Sequence, residues 1–235
     1  GGPRGLWNGA NSYGLLNIPD ELMSATQEKK LSFSLLDRRD NAPIGYKQYN
    51  KMTGNDVIRK DIVKGYEYDP HQFVFLEDKD FLKANPKATK TIDIEDFVNL
   101  EDLDFLFFEK PYYMVPGKNG EKGYVLLRDI LKDTKKVAIA KFVLRNTQHL
   151  VSVIPKGNYL ILEILRFANE IQEANDVDFL DHTELDRVRI SPREMKVARE
   201  LIDGMTAKWK PSVYKDTYQE ELLKYIKQKI KKGHT

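Results

Sequence analysis

VAIAKFVL at residues 137–144, HLVSVI at residues 149–154 and YLILEIL at residues 159–165 follow one another along the chain. Each stretch is rich in β-branched, aliphatic or aromatic residues and is bounded by Pro, Asn or charged residues, a pattern typical of β-strands. The three stretches therefore predict consecutive strands of one sheet.

Four other segments have the same character. They are residues 30–36, which alternate around Leu31, Phe33 and Leu35, and residues 72–76, 91–98 and 112–115. A short helix is predicted at residues 121–132, after Gly120. Many strands with few long helices between them indicate an antiparallel sheet or barrel rather than βαβ units. The predicted fold class is α+β, mainly β.

Residues 37–65 form a long, basic and weakly patterned stretch. Its cations are Arg38, Arg39, Lys47, Lys51, Arg59, Lys60 and Lys64, set among Gly, Asn and Pro. A loop of this length inside a compact domain is usually functional or disordered. The charge favours a functional arm.

The last fifth of the chain predicts two helices. Ser191, Pro192 and Glu194 have the spacing of a capping box with proline in the first turn, and apolar residues follow at helical spacing as far as Met205. A second apolar stripe consists of Tyr218, Leu222, Tyr225, Ile226 and Ile230. These helices can pack on their own barrel or on a partner, and the sequence leaves both open.

The net charge of the 235 residues is only +2, which by itself indicates nothing about nucleic acid. Its distribution is more informative, because residues 29–64 carry nine Lys/Arg against four Asp/Glu and residues 110–166 carry eleven against four. Between them, residues 67–109 carry four against twelve. Blocks of alternating sign can place one face at positive potential while the whole chain stays near neutral.

Composition excludes several classes of site. The chain has no Cys, so disulfides, thiolate metal sites and cysteine nucleophiles are excluded. No apolar run approaches the ~20 residues that span a bilayer, and no signal-peptide pattern is present. We expect a cytoplasmic protein without a membrane partner, and we interpret residues 1–3 as an expression remnant.

The search for catalytic chemistry gives weak matches. Residues 116–120 lack the frame of a phosphate-binding loop and are better interpreted as a turn. Ser12 lacks the leading Gly of a nucleophile elbow, because position 10 is Ala. The four His are scattered without metal spacing. We therefore predict no catalytic residues, no metal and no cofactor.

Three motifs resemble those of prokaryotic Ku proteins. RGLWNG at residues 4–9 with SYGLLNIP at residues 12–19 resembles the family's opening RxxWxGxISFGLVNIP. DIVKGYEY at residues 61–68 and FEKPYYMVP at residues 108–116 resemble its DIVKGYEY and F(D/E)KPYYLVP signatures. The resemblance extends over essentially the whole chain, in order.

The resemblance implies an antiparallel β-barrel core at residues 4–188 with a bridging arm at about residues 37–65, and a C-terminal helical arm at residues 189–235. In this family two subunits interlock so that their arms close a ring around duplex DNA. The implied function is non-enzymatic: a homodimer binds double-stranded DNA ends without sequence preference in non-homologous end joining, associated with the bacterial nucleoid. The implied partner is an ATP-dependent DNA ligase, whose contact we hypothesise at residues 191–235.

A ring that accepts any end can contact only the phosphate backbone, through Lys and Arg side chains. A free end is required because a closed ring must be threaded. The predicted phosphate contacts are Lys29, Lys30, Arg38, Arg39, Lys47, Lys51, Arg59, Lys60 and Lys64, with Lys141 and Arg145 from the second basic block.

The chain departs from the family pattern at the arm and at the C-terminus. Many relatives carry a Cys-x-x-Cys pair in the bridge, whose places here hold Asn50 and Thr53, so a thiolate zinc knuckle is excluded. The long Lys-rich tail of some relatives is absent or was removed.

Two other functions are weighed against end binding. A nucleophilic Lys could cleave abasic sites through a Schiff base, which borohydride trapping would detect. An architectural DNA binder without end preference would bind closed circles and linear fragments equally.

Overall fold

The computed structural model describes residues 7–12, 17–84, 91–144, 147–177 and 185–233. The strands are β1 Trp7–Ser12, β2 Asn17–Ser24, β3 Lys64–Asp69, β4 Gln72–Leu76, β5 Thr91–Asn99, β6 Phe108–Pro116, β7 Lys136–Leu144, β8 Thr147–Lys156 and β9 Tyr159–Leu165. The α-helices of the described part are α1 Asp78–Ala84, α2 Glu121–Thr134, α3 Pro192–Met205 and α4 Thr217–Lys231. The predicted α+β class with an antiparallel sheet is confirmed.

Seven strands hydrogen-bond in the order β1-β2-β6-β9-β8-β7-β5, and β1 also pairs with β5, which closes the sheet into a barrel. Every neighbouring pair is antiparallel except β1 and β5, which run parallel. The prediction of an antiparallel barrel is therefore wrong at this one pair of strands. Parallel pairing requires a long crossover, and β3, β4 and α1 lie in the connection between β2 and β5.

The core is centred on the neighbouring strands β7, β8 and β9. Ala138, Val153 and Leu162 occupy one cross-strand row of β7, β8 and β9, and all three side chains are fully buried. Helix α2 covers the core with Tyr124 and Leu127, among others. Burial of the aliphatic side chains of these strands is the main force that holds the barrel together.

Helix α2 is tied to the sheet by one buried hydroxyl. The Tyr124 hydroxyl donates to the Met114 carbonyl at 2.8 Å and accepts a hydrogen bond from the Leu160 amide at 2.6 Å. Met114 in β6 and Leu160 in β9 are register partners, so the hydroxyl bridges two strands at the point where their pairing ends. This contact fixes the helix against the end of β6.

Replacing Tyr124 with Phe is expected to lower the free energy of unfolding by about 1–3 kcal/mol, because it leaves a buried carbonyl and a buried amide without this partner. The measurement is urea denaturation. Tyr159→Phe is the control, since Tyr159 is exposed and an exposed hydroxyl should contribute less than about 0.5 kcal/mol. Equal destabilisation by the two variants would contradict the bridging role.

Most predicted strands are confirmed, and one is wrong. Residues 72–76, 91–98, 112–115, 137–144, 149–154 and 159–165 all lie in strands, and the helix at 121–132 is α2. Residues 30–36 form no strand: Phe33 and Leu35 are exposed, and the segment has only a single bridge, between Leu36 and Pro43. The alternating residues of this segment have no neighbouring strand to pair with.

The chain divides into two compact units, which we call the barrel unit and the helical unit. The barrel unit is Gly1–Gln27 with Ile44–Ile171, and the helical unit is Glu28–Pro43 with Gln172–Thr235. Among the described residues, no helix is long and apolar enough to cross a membrane.

The two C-terminal helices are confirmed, including the capping box. The Ser191 hydroxyl accepts a hydrogen bond from the Glu194 amide at 3.1 Å, and the Glu194 carboxylate accepts one from the Ser191 amide at 3.2 Å. Neither α3 nor α4 buries a residue in this single chain. The apolar stripe of α3 is therefore left uncovered, whereas that of α4 is partly covered at Leu222 and Ile226.

Candidate nucleic-acid interface

The basic stretch of the barrel unit begins with a tight hairpin outside the barrel. Tyr49 and Asp56 form an isolated antiparallel bridge, and the Gly54 amide donates to the Asn50 carbonyl at 2.7 Å. Gly54 has a φ of 75°, a conformation that glycine adopts without a steric cost. These contacts give residues 49–56 a defined turn.

Asn50 and Thr53 hold this turn by hydrogen bonds. The Asn50 side-chain oxygen accepts from the Met52 amide at 2.8 Å and from the Thr53 amide at 3.1 Å, and the Thr53 hydroxyl accepts from the Asn55 amide at 3.2 Å. Short polar side chains often stabilise turns in this way. The two positions matched to the Cys pair of some relatives thus stabilise the hairpin here without thiolates.

Three predicted cations of the barrel unit are exposed and form no ion pair within the described part of the chain. Lys51 lies at the hairpin turn, and Arg59 and Lys60 lie in the single helical turn Arg59–Asp61. Because no carboxylate neutralises them, their charge is available to a polyanion. Of the predicted phosphate contacts in this unit, these three are the most accessible to a polyanion.

Other predicted cations of the barrel unit have partners. Lys47 lies 3.4 Å from the Asp56 carboxylate, and Lys64 lies over the Phe81 ring at 5.1 Å. Lys141 is half-buried in β7 and lies 3.6 Å from the Glu95 carboxylate. Arg145 lies outside the described residues.

The helical unit carries Lys29, Lys30, Arg38 and Arg39, all exposed. Arg39 forms a two-pronged pair with Asp37, with its Nη2 at 2.8 Å and its Nε at 3.0 Å from the two carboxylate oxygens. This contact lowers the pKa of the Asp37 carboxyl. Arg38 and Lys29 have no ion pair within the described residues, so they are the available cations of this unit.

Lys30 has a structural partner that its position in the sequence does not indicate. Its Nζ lies 2.8 Å from the Asp216 carboxylate, which also caps α4 by accepting from the Gln219 amide at 3.0 Å. The hydrogen bond from Lys30, with those from Gln219, lowers the pKa of Asp216 to about 2. Lys30 thus helps to fix the start of α4.

Gln219 completes this contact. Its side-chain amide donates to the Lys29 carbonyl at 3.4 Å, and its side-chain oxygen accepts from the Leu31 amide. The second of these bonds lies in the segment that was predicted as a strand. The Leu31 amide, which a neighbouring strand could have used, therefore binds the helix instead.

Sequence reasoning missed the exposure of the hairpin β3–β4. Tyr66, Phe73 and Phe75 are 63%, 54% and 71% exposed, and Leu76 is its only residue that is not exposed. The two strands pair only with each other within the described chain. The hairpin has apolar residues on both faces, and this pattern could have indicated the exposure, because both faces need to be covered by another part of the protein or by a partner.

A β-barrel whose long excursion carries exposed, unpaired cations is typical of a protein that contacts a polyanion. Residues 12–197 match the Ku70/Ku80 beta-barrel domain family. The chain is 40% identical to the "Non-homologous end joining protein Ku" of Coxiella burnetii over 99% of this chain and 84% of that protein. It is 42% identical to the protein of the same name from Opitutus terrae, over 98% and 81% of the two chains. The chain belongs to the Ku family.

Removing unpaired cations of the arm should weaken binding to duplex DNA of any sequence. We expect Lys51→Gln with Lys60→Gln to reduce the slope of log affinity against log salt by about 2 for each bound copy of the chain, because each lost phosphate contact removes about 0.9. Fluorescence anisotropy at several salt concentrations measures this slope.

The control is Lys79→Gln with Lys83→Gln, which removes the same charge from two exposed lysines of α1, outside the predicted arm. This pair should leave the slope unchanged. An equal decrease of the slope in both double variants would mean that DNA binding depends only on the net charge of the protein.

Proposed function

We propose that the chain binds double-stranded DNA ends without sequence preference in non-homologous end joining. The supporting observation is the set of exposed, unpaired cations at Lys51, Arg59 and Lys60, on the excursion of a barrel that belongs to the Ku family. Flexible cations of this kind contact phosphates and carry no sequence information. The chain acts as a binding scaffold rather than as an enzyme.

End preference follows if two copies close their arms around the duplex. A closed ring can be reached only by threading a free end, whereas a surface patch would bind any stretch of duplex. The segment at about residues 37–65 is the bridging arm in this proposal. Lys29, Lys30, Arg38, Arg39, Lys47, Lys64, Lys141 and Arg145 remain proposed phosphate contacts beside the three unpaired cations.

A gel-shift competition at fixed moderate salt tests this function. A labelled linear duplex is competed with unlabelled linear, closed-circular and hairpin-capped DNA, at salt held constant because phosphate-driven affinity depends on it. We expect only DNA with accessible ends to compete. Equal competition by closed circles, per base pair, would contradict end binding and leave a general duplex binder.

We propose that the partner in the ring is a second copy of this chain. A hairpin of two strands is marginally stable alone in water, yet β3–β4 exposes Tyr66, Phe73 and Phe75. Apolar surface of this kind marks an interaction site. A second copy of this chain can cover the exposed face of the hairpin.

Phe75→Ser is expected to shift the chain from dimer towards monomer, because a polar side chain removes apolar area from the proposed interface. Light scattering coupled to gel filtration measures the change over a range of concentrations. Phe105→Ser is the control, since Phe105 is 78% exposed but lies outside the hairpin. An unchanged dimer in the Phe75 variant would place the interface elsewhere.

We propose that an ATP-dependent DNA ligase contacts residues 191–235. These residues carry two amphipathic helices with exposed apolar side chains, among them Leu201 and Ile202. Leu201→Ser with Ile202→Ser should reduce stimulation of the ligase at protein concentrations that saturate the DNA ends, whereas Glu200→Gln should not. Full stimulation by the double variant would remove this face of α3 from the contact.

A further inference from the structure

A cavity of about 670 Å³ lies in the barrel unit between the end of β6, the first half of α2 and the turn before β9. Its wall combines the rings of Tyr113 and Tyr159 with the aliphatic side chains of Val115 and Val125. Small-molecule sites typically have volumes of about 300–1,000 Å³ and mostly apolar walls. No predicted phosphate contact lies in this cavity.

The two tyrosines form an open aromatic corner. Their ring centroids are 5.7 Å apart with an angle of 67° between the planes, and the side chains are 42% and 56% exposed. An edge-to-face pair does not stack its own ring faces together. A flat ring from a ligand can therefore stack against the exposed surface of either tyrosine.

Polar groups beside the corner suit a nucleotide. Only 20% of the Arg128 side chain is exposed, and its Nε and Nη1 bind the Asp129 carboxylate and the Asn158 carbonyl at 2.9 and 3.1 Å. Its Nη2 and the side-chain amide of Asn158 form no hydrogen bond within the described chain. Glu121, the carboxylate in the wall, can accept a hydrogen bond from an amino group of a base.

Three lysines, which we call the rim lysines, lie beside the cavity wall along the chain. Lys118, Lys122 and Lys156 are exposed, each lies within two residues of a residue that lines the cavity, and none forms an ion pair in the described part of the chain. Lysines close in sequence to an aromatic corner favour a ligand that combines flat rings with phosphates. An apolar protein segment would not require them.

We propose that this cavity binds one or two unpaired nucleotides in a single-stranded tail at a DNA end. The bases stack on Tyr113 and Tyr159, and the phosphates contact Arg128 and the rim lysines. Sites for single strands commonly combine aromatic stacking with a cationic rim and tolerate any base. This inference rests on the proposed function in DNA-end binding and adds recognition of unpaired nucleotides.

The test compares a short blunt duplex with the same duplex carrying a tail of a few unpaired nucleotides. The wild-type chain should bind the tailed form more tightly. Tyr159→Leu should lower affinity for the tailed form by about tenfold, because one base loses its stacking partner, and leave affinity for the blunt form unchanged. A tail containing 5-iodouracil should crosslink to peptides that contain Tyr113 or Tyr159.

Tyr214→Leu is the matched control, since Tyr214 is also exposed and its ring also contacts another aromatic ring, that of Trp209. It should alter neither affinity. Lys122→Gln, a second variant outside the aromatic wall, should weaken binding of the tailed form alone.

An unchanged preference for the tail in Tyr159→Leu would overturn the nucleotide site while leaving end binding intact. Equal losses on the tailed and blunt forms would also overturn it, since Tyr159 would then act in general binding or folding. Loss of ligase stimulation with an unchanged tail preference would assign the cavity to a protein segment instead. Failure of the wild-type chain to bind blunt ends would refute the proposed function itself.

Discussion

The parallel pairing of β1 with β5 is the constraint on which the rest of the barrel unit depends. A sheet that closes on itself leaves no edge strand to which another strand can be added. The chain between β2 and β5 therefore cannot join the sheet, and β3 pairs with β4 alone. Closure of the barrel thus forces a long, exposed excursion and separates the stable core from the segment that carries most of the predicted DNA contacts.

The core strands were predictable because their own sequences are strongly apolar and the fold buries them. In β9 every residue from Leu160 to Leu165 is buried, so the strongly apolar sequence and the buried position of the strand agree. Strand β1 has the sequence WNGANS, in which Asn and Gly disfavour a strand, and it was missed. Its place is set by pairing with β2 and β5, which no local window contains. Residues 30–36 show the opposite case: apolar and polar residues alternate as in a strand, but no neighbouring strand pairs with them.

The predicted site shows the same division between residue types, which the sequence gives directly, and contacts between residues that are far apart along the chain. The sequence identified the arm cations, and Lys51, Arg59 and Lys60 are indeed exposed and unpaired within the described chain. It could not identify the partner of Lys30, because Asp216 is 186 residues away along the chain. Exposed ion pairs contribute little to stability, so such a partner does not by itself remove Lys30 from DNA binding. The partner does mean that Lys30 must exchange one anion for another, whereas Lys51 has none to release.

Exposed apolar surface and exposed charge occur on the same excursion, and each imposes a different requirement. The hairpin β3–β4 needs a cover for Tyr66, Phe73 and Phe75, whereas the cations that precede it need water or phosphate around them. A second protein chain can satisfy the first requirement and a duplex the second, but neither can satisfy both. Under the proposed function, stability of the arm and affinity for DNA are coupled, because an arm held in place by a partner on the hairpin loses less conformational entropy when its lysines bind phosphates.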